Sequence, residues 1–118
     1  MGIAIDKSRA FAIRIVRLCQ YLRTEKREFV ISDQLLRSGT SIGANLTEAS
    51  FAISKKEFLS KVYISLKECA ETNYWLDLLH DTGYLSIAEY KSIHDQSVEI
   101  LKMLHSTTRT IRREIKDY

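Results

Sequence analysis

Apolar residues recur along this chain at every third or fourth position, a spacing that places them on one side of an α-helix. The pattern is clear near the amino terminus, where one stripe runs through Phe11, Ile15, Leu18 and Leu22. Three later stretches show the same period, and strand-like alternation is weak everywhere. We therefore predict four helices, at approximately residues 6–27, 32–53, 54–82 and 86–115.

Residues typical of helix ends support these boundaries. Ser54 followed by Glu57, and Ser86 followed by Glu89, are capping-box patterns that open the third and fourth helices. Gly83 supplies the stop expected after the third helix. Four amphipathic helices with short connections indicate an all-α fold, a single antiparallel up-down-up-down four-helix bundle that uses all 118 residues.

The composition fits this fold. The chain has 45% hydrophobic and 28% charged residues and no proline, as a soluble globular domain would, which excludes a disordered tail or a disulfide mini-protein. No signal peptide and no run of 18 apolar residues occur, so we expect a cytoplasmic protein without a membrane partner. Cys19 and Cys69 form no metal-binding or redox motif, and we expect both to be small buried side chains.

The second helix is unusual, because it carries no charge between Arg37 and Glu48 and contains Gly39 and Gly43. A glycine inside a helix costs about 1 kcal/mol relative to alanine. We interpret the two glycines as sites where another helix approaches closely. A phosphate-binding loop is the alternative, but the segment lacks the GK[ST] motif and does not follow a strand.

Several apolar residues fall on the side of their helix that faces away from the core. Ile64, Trp75 and Leu78 lie opposite the apolar stripe of the third helix, and Ile13 lies opposite that of the first. Contiguous apolar surface usually marks an interface, although single exposed side chains are the alternative. We predict a homo-oligomer with contacts at Ile13, Gly39, Gly43, Ile64, Trp75 and Leu78.

Candidate catalytic and metal-binding residues are few. The stripe of the third helix runs through Leu59, Val62, Leu66, Cys69, Asn73, Leu76 and His80. Asn73 and His80 interrupt its apolar character, and we interpret them as a hydrogen-bonded polar layer. Asp77 and His80 have the spacing of half a di-iron site, but His94 and His105 lack a carboxylate three residues earlier. Motifs of hydrolases, metalloproteases and dinucleotide-binding enzymes are absent. We predict no catalytic residues, no metal and no cofactor.

The whole chain has a net charge of +3, and its positive charge is concentrated at the two ends. Residues 1–28 contain seven Lys/Arg against three Asp/Glu, and residues 106–118 contain four against two. An up-down bundle brings the start of helix one, the junction of helices two and three and the end of helix four to one pole. We predict that this pole binds nucleic-acid phosphate, with ordinary solubilising charge as the alternative. The predicted residues are Lys7, Arg9, Lys55, Lys56, Arg109, Arg112, Arg113 and Lys116.

The second helix also resembles a known signature. The segment Ile31–Ala49, ISDQLLRSGTSIGANLTEA, is similar to that of the 23S rRNA-intervening sequence proteins, and its Ser-Ile-x-x-Asn-x-x-Glu core is fairly specific. Many members have Glu-Gly where this chain has Glu48-Ala49. The resemblance continues through Lys56-Glu57-Phe58, residues 65–72, Leu79, Gly83-Tyr84-Leu85 and the basic last helix.

The resemblance implies a left-handed bundle that assembles into a homopentameric ring. Some members are encoded inside insertions in 23S rRNA genes, and others stand alone in bacterial genomes. A related accessory protein of diversity-generating retroelements forms a basic pentamer that engages nucleic acid and a reverse transcriptase. The family supplies no catalytic residues, and its signature draws attention to Asn45 and Glu48.

Three functions are considered as hypotheses, of which a metal-dependent enzyme using Asp77, His80 and Glu residues is the least favoured. The first is a non-enzymatic homo-oligomer that binds RNA or DNA through a repeated basic surface. The second is an interaction scaffold that docks a partner protein.

Overall fold

The computed structural model describes residues 1–116, which form four α-helices: α1 Gly2–Thr24, α2 Val30–Ala49, α3 Lys55–Asp81 and α4 Ile87–Lys116. Each helix packs against the next and α4 packs against α1, while the diagonal pairs lie apart. This confirms the predicted four-helix bundle, which measures 52 × 22 × 21 Å. Within the described residues, no helix has the length and apolar character needed to cross a bilayer.

Neighbouring helices are antiparallel. Between α1 and α2, the thiol of Cys19 donates to the carbonyl of Ser32, whereas Ser8 lies beside Gly43. Residue numbers therefore rise along α1 as they fall along α2. The other three interfaces show the same opposite order. Helices α2 and α3 are joined by the pairs Ser65–Ile42 and Thr72–Ser38. Helices α3 and α4 are joined by Asp77–Tyr90 and Lys55–Glu114, and α4 and α1 by Lys7–Glu99 and Arg14–Gln96.

The amino terminus of α2 differs from the prediction. The sequence offers Ser32 as the cap of a helix that begins there, but in the structure Glu28 caps α2 and Ser32 does not. The Glu28 carboxylate accepts the backbone N–H groups of Ile31 and Ser32 at 3.2 and 2.8 Å. A carboxylate at this position satisfies donors that have no partner within the helix and interacts favourably with the helix dipole. Ser32 is buried against Cys19 instead, and the helix begins at Val30.

Three other helix ends also differ. The first helix begins at Gly2 and ends at Thr24, whereas residues 6–27 were predicted. The second ends at Ala49, before the predicted residue 53, because the N–H groups of Phe51 and Ala52 turn back to carbonyls three residues earlier. The two predicted capping boxes are confirmed, since the serine Oγ accepts the glutamate N–H at 3.1 Å in each.

The core is mainly apolar, but each helix also buries polar side chains: Ser8 on α1, Ser32 and Ser38 on α2, Ser65 and Thr72 on α3, and Ser97 and Thr108 on α4. Val62, Cys69 and Leu76 are buried as predicted. Ser65 and Thr72 are also buried, and they hydrogen-bond to α2 across a close interface. Four positions of the predicted stripe are only half-buried: Leu59, Leu66, Asn73 and His80. Leu66 still packs against the core. The Oδ1 atom of Asn73 is buried without a hydrogen-bond partner among the described residues, so the predicted hydrogen-bonded layer was wrong at this residue.

Candidate nucleic-acid interface

The carboxyl-terminal half of α4 carries a set of exposed cations that we call the α4 basic face: Lys102, Arg109, Arg112, Arg113 and Lys116. Residues three and four apart lie on the same side of a helix. At 100° per residue, all five fall within an arc of about 100°. The last four line one shallow depression in the surface. The structure thus brings together four of the predicted basic residues.

A groove between α3 and α4 adjoins this face, and we call it the α3–α4 groove. The half-buried side chains of Leu66 and Leu101 contribute its apolar part, and Lys102, His105, Ser106 and Arg109 complete its lining. Arg109 lines both the groove and the depression beyond it. The two features therefore form one continuous surface along α4.

The sequence prediction did not include Lys102 and His105. Both precede the segment that we assigned to the basic pole, yet their spacing from the other basic positions already indicates that they lie on the same helix face. Positions 102, 105, 109, 112 and 116 follow one another at intervals of three and four, the repeat of a single helical face.

Acidic side chains near this face are engaged elsewhere. Glu114 pairs with Lys55 at 3.2 Å, and Glu99 pairs with Lys7 on the side of α4 that faces α1. Among residues 1–116, no cation of the α4 basic face forms an ion pair. Within residues 1–116, these cations are therefore not paired with a carboxylate, and their positive charge faces solvent.

One arginine of the face is held by an aromatic ring. The guanidinium of Arg112 lies over the ring of Tyr63 on α3, 5.8 Å from its centroid. Such a cation–π contact is worth about 0.5–1 kcal/mol at an exposed site. It positions Arg112 toward the α3 side, where the groove runs.

The other predicted basic residues are more scattered. Lys7 lies at the α1–α4 interface, and Arg9 lies on the outer side of α1. Lys55 and Lys56 line a separate hollow beside Ile115, close to the end of α4. Only this last pair adjoins the α4 basic face.

The two glycines of α2 face α1 of the same chain. A Cβ atom at Gly39 would lie 2.8 Å from Cγ2 of Ile15, and one at Gly43 would lie 3.4 Å from Cβ of Ser8. The predicted close approach of helices is confirmed. Gly39 is fully enclosed by the bundle and so cannot contribute to an outer contact, which corrects its place in the predicted oligomer surface.

The predicted apolar surface residues lie on two helices that do not touch each other. On α1, Ile13 is 40% exposed and lines a shallow hollow together with Val16. On α3, Ile64 is 37% exposed, whereas Trp75 and Leu78 are half-buried. We call these the α1 patch and the α3 patch.

The polar signature residues of α2 make contacts within the chain. Asn45 donates to the carbonyl of Ser41 at 2.9 Å, and Glu48 pairs with Lys61 of α3 at 2.9 Å. The Asn45 contact stays within α2, and the Glu48 contact ties α2 to α3.

Asp77 and His80, which have the spacing of a partial metal site, belong to an aromatic cluster. The Tyr90 hydroxyl donates to Asp77 at 2.5 Å, and the Tyr90 ring stacks on His80 and His94 with centroids 4.4 and 4.9 Å away. The hydrogen bond to the Asp77 carboxylate raises the pKa of Tyr90 to about 12. Residues 1–116 contain no group of three or more His, Cys, Asp or Glu side chains arranged to hold a metal ion.

Both cysteines are buried and free, as predicted. Burial raises the pKa of the Cys19 thiol, and it raises that of Cys69 to about 11. Since the thiolate is the nucleophilic form, both side chains are poorly suited to covalent chemistry.

Comparisons with known proteins agree with the fold. No curated protein shows significant similarity to the chain. A crystal structure at 1.70 Å resolution, of a protein with unknown function from the S23 ribosomal protein family of Bacteroides thetaiotaomicron, is 51% identical, with a TM-score of 0.88. The alignment covers 89% of this chain and 97% of that one. The family model of the 23S rRNA-intervening sequence protein matches residues 3–106. The chain therefore belongs to the 23S rRNA-intervening sequence protein family.

Proposed function

We propose that this protein is a non-enzymatic homo-oligomer that binds RNA or DNA through the α4 basic face. The observation that carries the proposal is the set of five exposed cations on one side of α4, none of which has an acidic partner within the described part of the chain. Three of the five are arginines, whose planar guanidinium matches phosphate in a bidentate geometry.

The dimensions of the face favour a polyanion over a small anion. From residue 102 to residue 116 the helix rises about 21 Å at 1.5 Å per residue. A DNA duplex carries one negative charge per roughly 1.7 Å of its axis, so the face spans several phosphates. A single phosphate ion would engage only one end of this open surface.

Self-association would repeat the basic face. A cyclic ring requires two different complementary surfaces on each subunit. The α1 patch and the α3 patch lie on separate helices and supply two such surfaces. Several weak phosphate sites on one assembly then gain affinity through avidity.

A titration of fluorescently labelled RNA and DNA, read by anisotropy, tests the proposal. The triple variant Arg109→Ala/Arg112→Ala/Arg113→Ala removes three of the five cations and should weaken binding at least tenfold. A tenfold loss of affinity corresponds to about 1.4 kcal/mol of binding free energy. The matched control Lys26→Ala/Arg27→Ala/Lys91→Ala removes the same charge at the opposite end of the bundle and should change affinity much less. Equal losses in the two variants, or no binding by the wild type at about 50 mM salt, would overturn the proposal.

A protein-docking scaffold is the second candidate function. It is favoured by Phe51 and Ile53, which are 81% and 94% exposed in the α2–α3 connection and have no role in phosphate binding. The test is affinity capture from nuclease-treated lysate with the wild type and with Phe51→Ser/Ile53→Ser. A partner that the wild type retains and the variant loses would support a scaffold.

A further inference from the structure

We infer that the α3–α4 groove makes the protein selective for single-stranded nucleic acid over duplex. In this arrangement the phosphates follow the α4 basic face, and unpaired bases lie against Leu66 and Leu101. The inference rests on the proposed function and specifies its ligand.

The groove combines two chemical characters side by side. Leu66 and Leu101 present half-buried apolar surface, and His105 and Ser106 place hydrogen-bonding groups next to it. An unpaired base has an apolar face and a polar edge, and it is joined to a charged phosphate. The two leucines correspond to the apolar face of the base, His105 and Ser106 to its polar edge, and the adjoining cations to the phosphate.

A duplex cannot use this surface fully. Its bases are stacked inside the helix, so the apolar part of the groove would remain uncovered. Insertion of α4 into the major groove is also blocked, because α3 packs alongside α4 from the Asp77–Tyr90 contact to the Lys55–Glu114 contact. The major groove is only about 12 Å wide. A duplex would therefore contact the cations alone.

An acidic amphipathic helix fits the groove less well. Helices that dock in grooves insert apolar anchors at i, i+3, i+4 and i+7, which requires a long apolar strip. Among the described residues, Leu66 and Leu101 are the apolar part of the lining, and the depression beyond the groove is lined by arginines and a lysine. The positive charge of the α4 basic face continues beyond the apolar part of the groove. A phosphate backbone that follows α4 requires such an extended positive surface.

The test compares a labelled single strand with the duplex of the same sequence, at equal salt. We expect the wild type to bind the single strand at least about fivefold more tightly, since contacts to unpaired bases add to phosphate contacts. Leu101→Gln should reduce that preference while leaving duplex affinity unchanged. His105→Ala, at an exposed position, should act in the same direction without disturbing the core. The control Leu36→Gln alters a half-buried leucine on α2, outside the groove and outside both patches, and should leave both affinities unchanged.

The outcomes separate the two proposals. If duplex binds as tightly as the single strand, or if Leu101→Gln and His105→Ala lower both affinities equally, the inference is wrong and the proposed function stands. If neither form binds, the proposed function itself fails. Displacement of the single strand by polyglutamate at the same concentration of charge would also overturn the inference, since the groove would then respond to charge alone.

Discussion

Gly39 of α2 packs directly onto Ile15 of α1. A methyl group at Gly39 would lie 2.8 Å from Cγ2 of Ile15 and 2.9 Å from its Cγ1. Both residues are buried, so the clash could not be relieved toward solvent. The missing side chain at Gly39 therefore sets how closely the two helices approach, which explains why a residue with poor helix propensity occupies this position.

The two glycines of α2 should respond oppositely to alanine. Gly39→Ala should lower the free energy of unfolding by about 1 kcal/mol, because overpacking costs about 1–3 kcal/mol and exceeds the gain in helix propensity. Gly43→Ala meets its neighbour at an ordinary contact distance and should raise stability by up to about 1 kcal/mol. Urea unfolding followed by circular dichroism, at one protein concentration, measures both. Equal effects would show that Gly39 is not sterically required.

A buried hydrogen bond joins α2 to α3, where Thr72 Oγ1 donates to Ser38 Oγ at 3.0 Å. Thr72→Val keeps the shape but removes the donor, and we expect a loss of about 1 kcal/mol. Thr110→Val removes an exposed hydroxyl on α4 and should stay within about 0.5 kcal/mol of the wild type. In the double variant Ser38→Ala/Thr72→Val the losses should be less than additive, because no unsatisfied hydroxyl remains. Additive losses would indicate that the two hydroxyls do not interact.

Cys69 should make stability fall in alkali. Its pKa is raised from 9.0 to about 11 by burial, so above pH 9 the unfolded chain loses the thiol proton while the folded chain retains it. The unfolded state then binds fewer protons, and stability declines between about pH 9 and pH 11. Urea midpoints across this range should fall more steeply for the wild type than for Cys69→Ala. Parallel curves would contradict the predicted role of this thiol.

Self-association should depend on the α1 patch. Ile13→Asp/Val16→Asp places charge on it and should lower the mass found by size-exclusion chromatography with light scattering. Ile87→Asp is the matched control, because Ile87 is 74% exposed at the other end of α4 from the basic face. A wild type that is monomeric at all concentrations, or a control that dissociates as completely, would refute the assignment of this patch.

Helix positions followed from the sequence because periodicity and capping boxes are local. The Glu28 cap was missed, because a carboxylate ahead of the helix can satisfy its first N–H groups as well as a serine at the helix start. Burial of Ser65 and Thr72 was missed for another reason. Polar side chains enter a core where a neighbouring helix offers partners, and hydrophobic spacing does not report how close that helix lies.

Prediction of the site had a similar limit. The excess of charge near the end of α4 was visible in the sequence, and helical spacing could have extended it to Lys102. The pairing of Lys7 with Glu99 could not be foreseen, because residues distant in sequence meet only through the packing of α1 on α4. The apolar lining of the groove likewise depends on how α3 and α4 pack, which brings Leu66 near Leu101.

The central claim, that the α4 basic face binds nucleic-acid phosphate, is tested most directly by the salt dependence of binding. We would measure the association constant of a labelled single strand across salt concentrations, for the wild type and for Arg109→Ala/Arg112→Ala/Arg113→Ala. We predict a linear fall of log affinity on log salt with a slope of about −0.7 per phosphate contact, equivalent to several contacts, and a slope shallower by about two in the variant. A flat line for the wild type, or an identical slope in the variant, would contradict the claim.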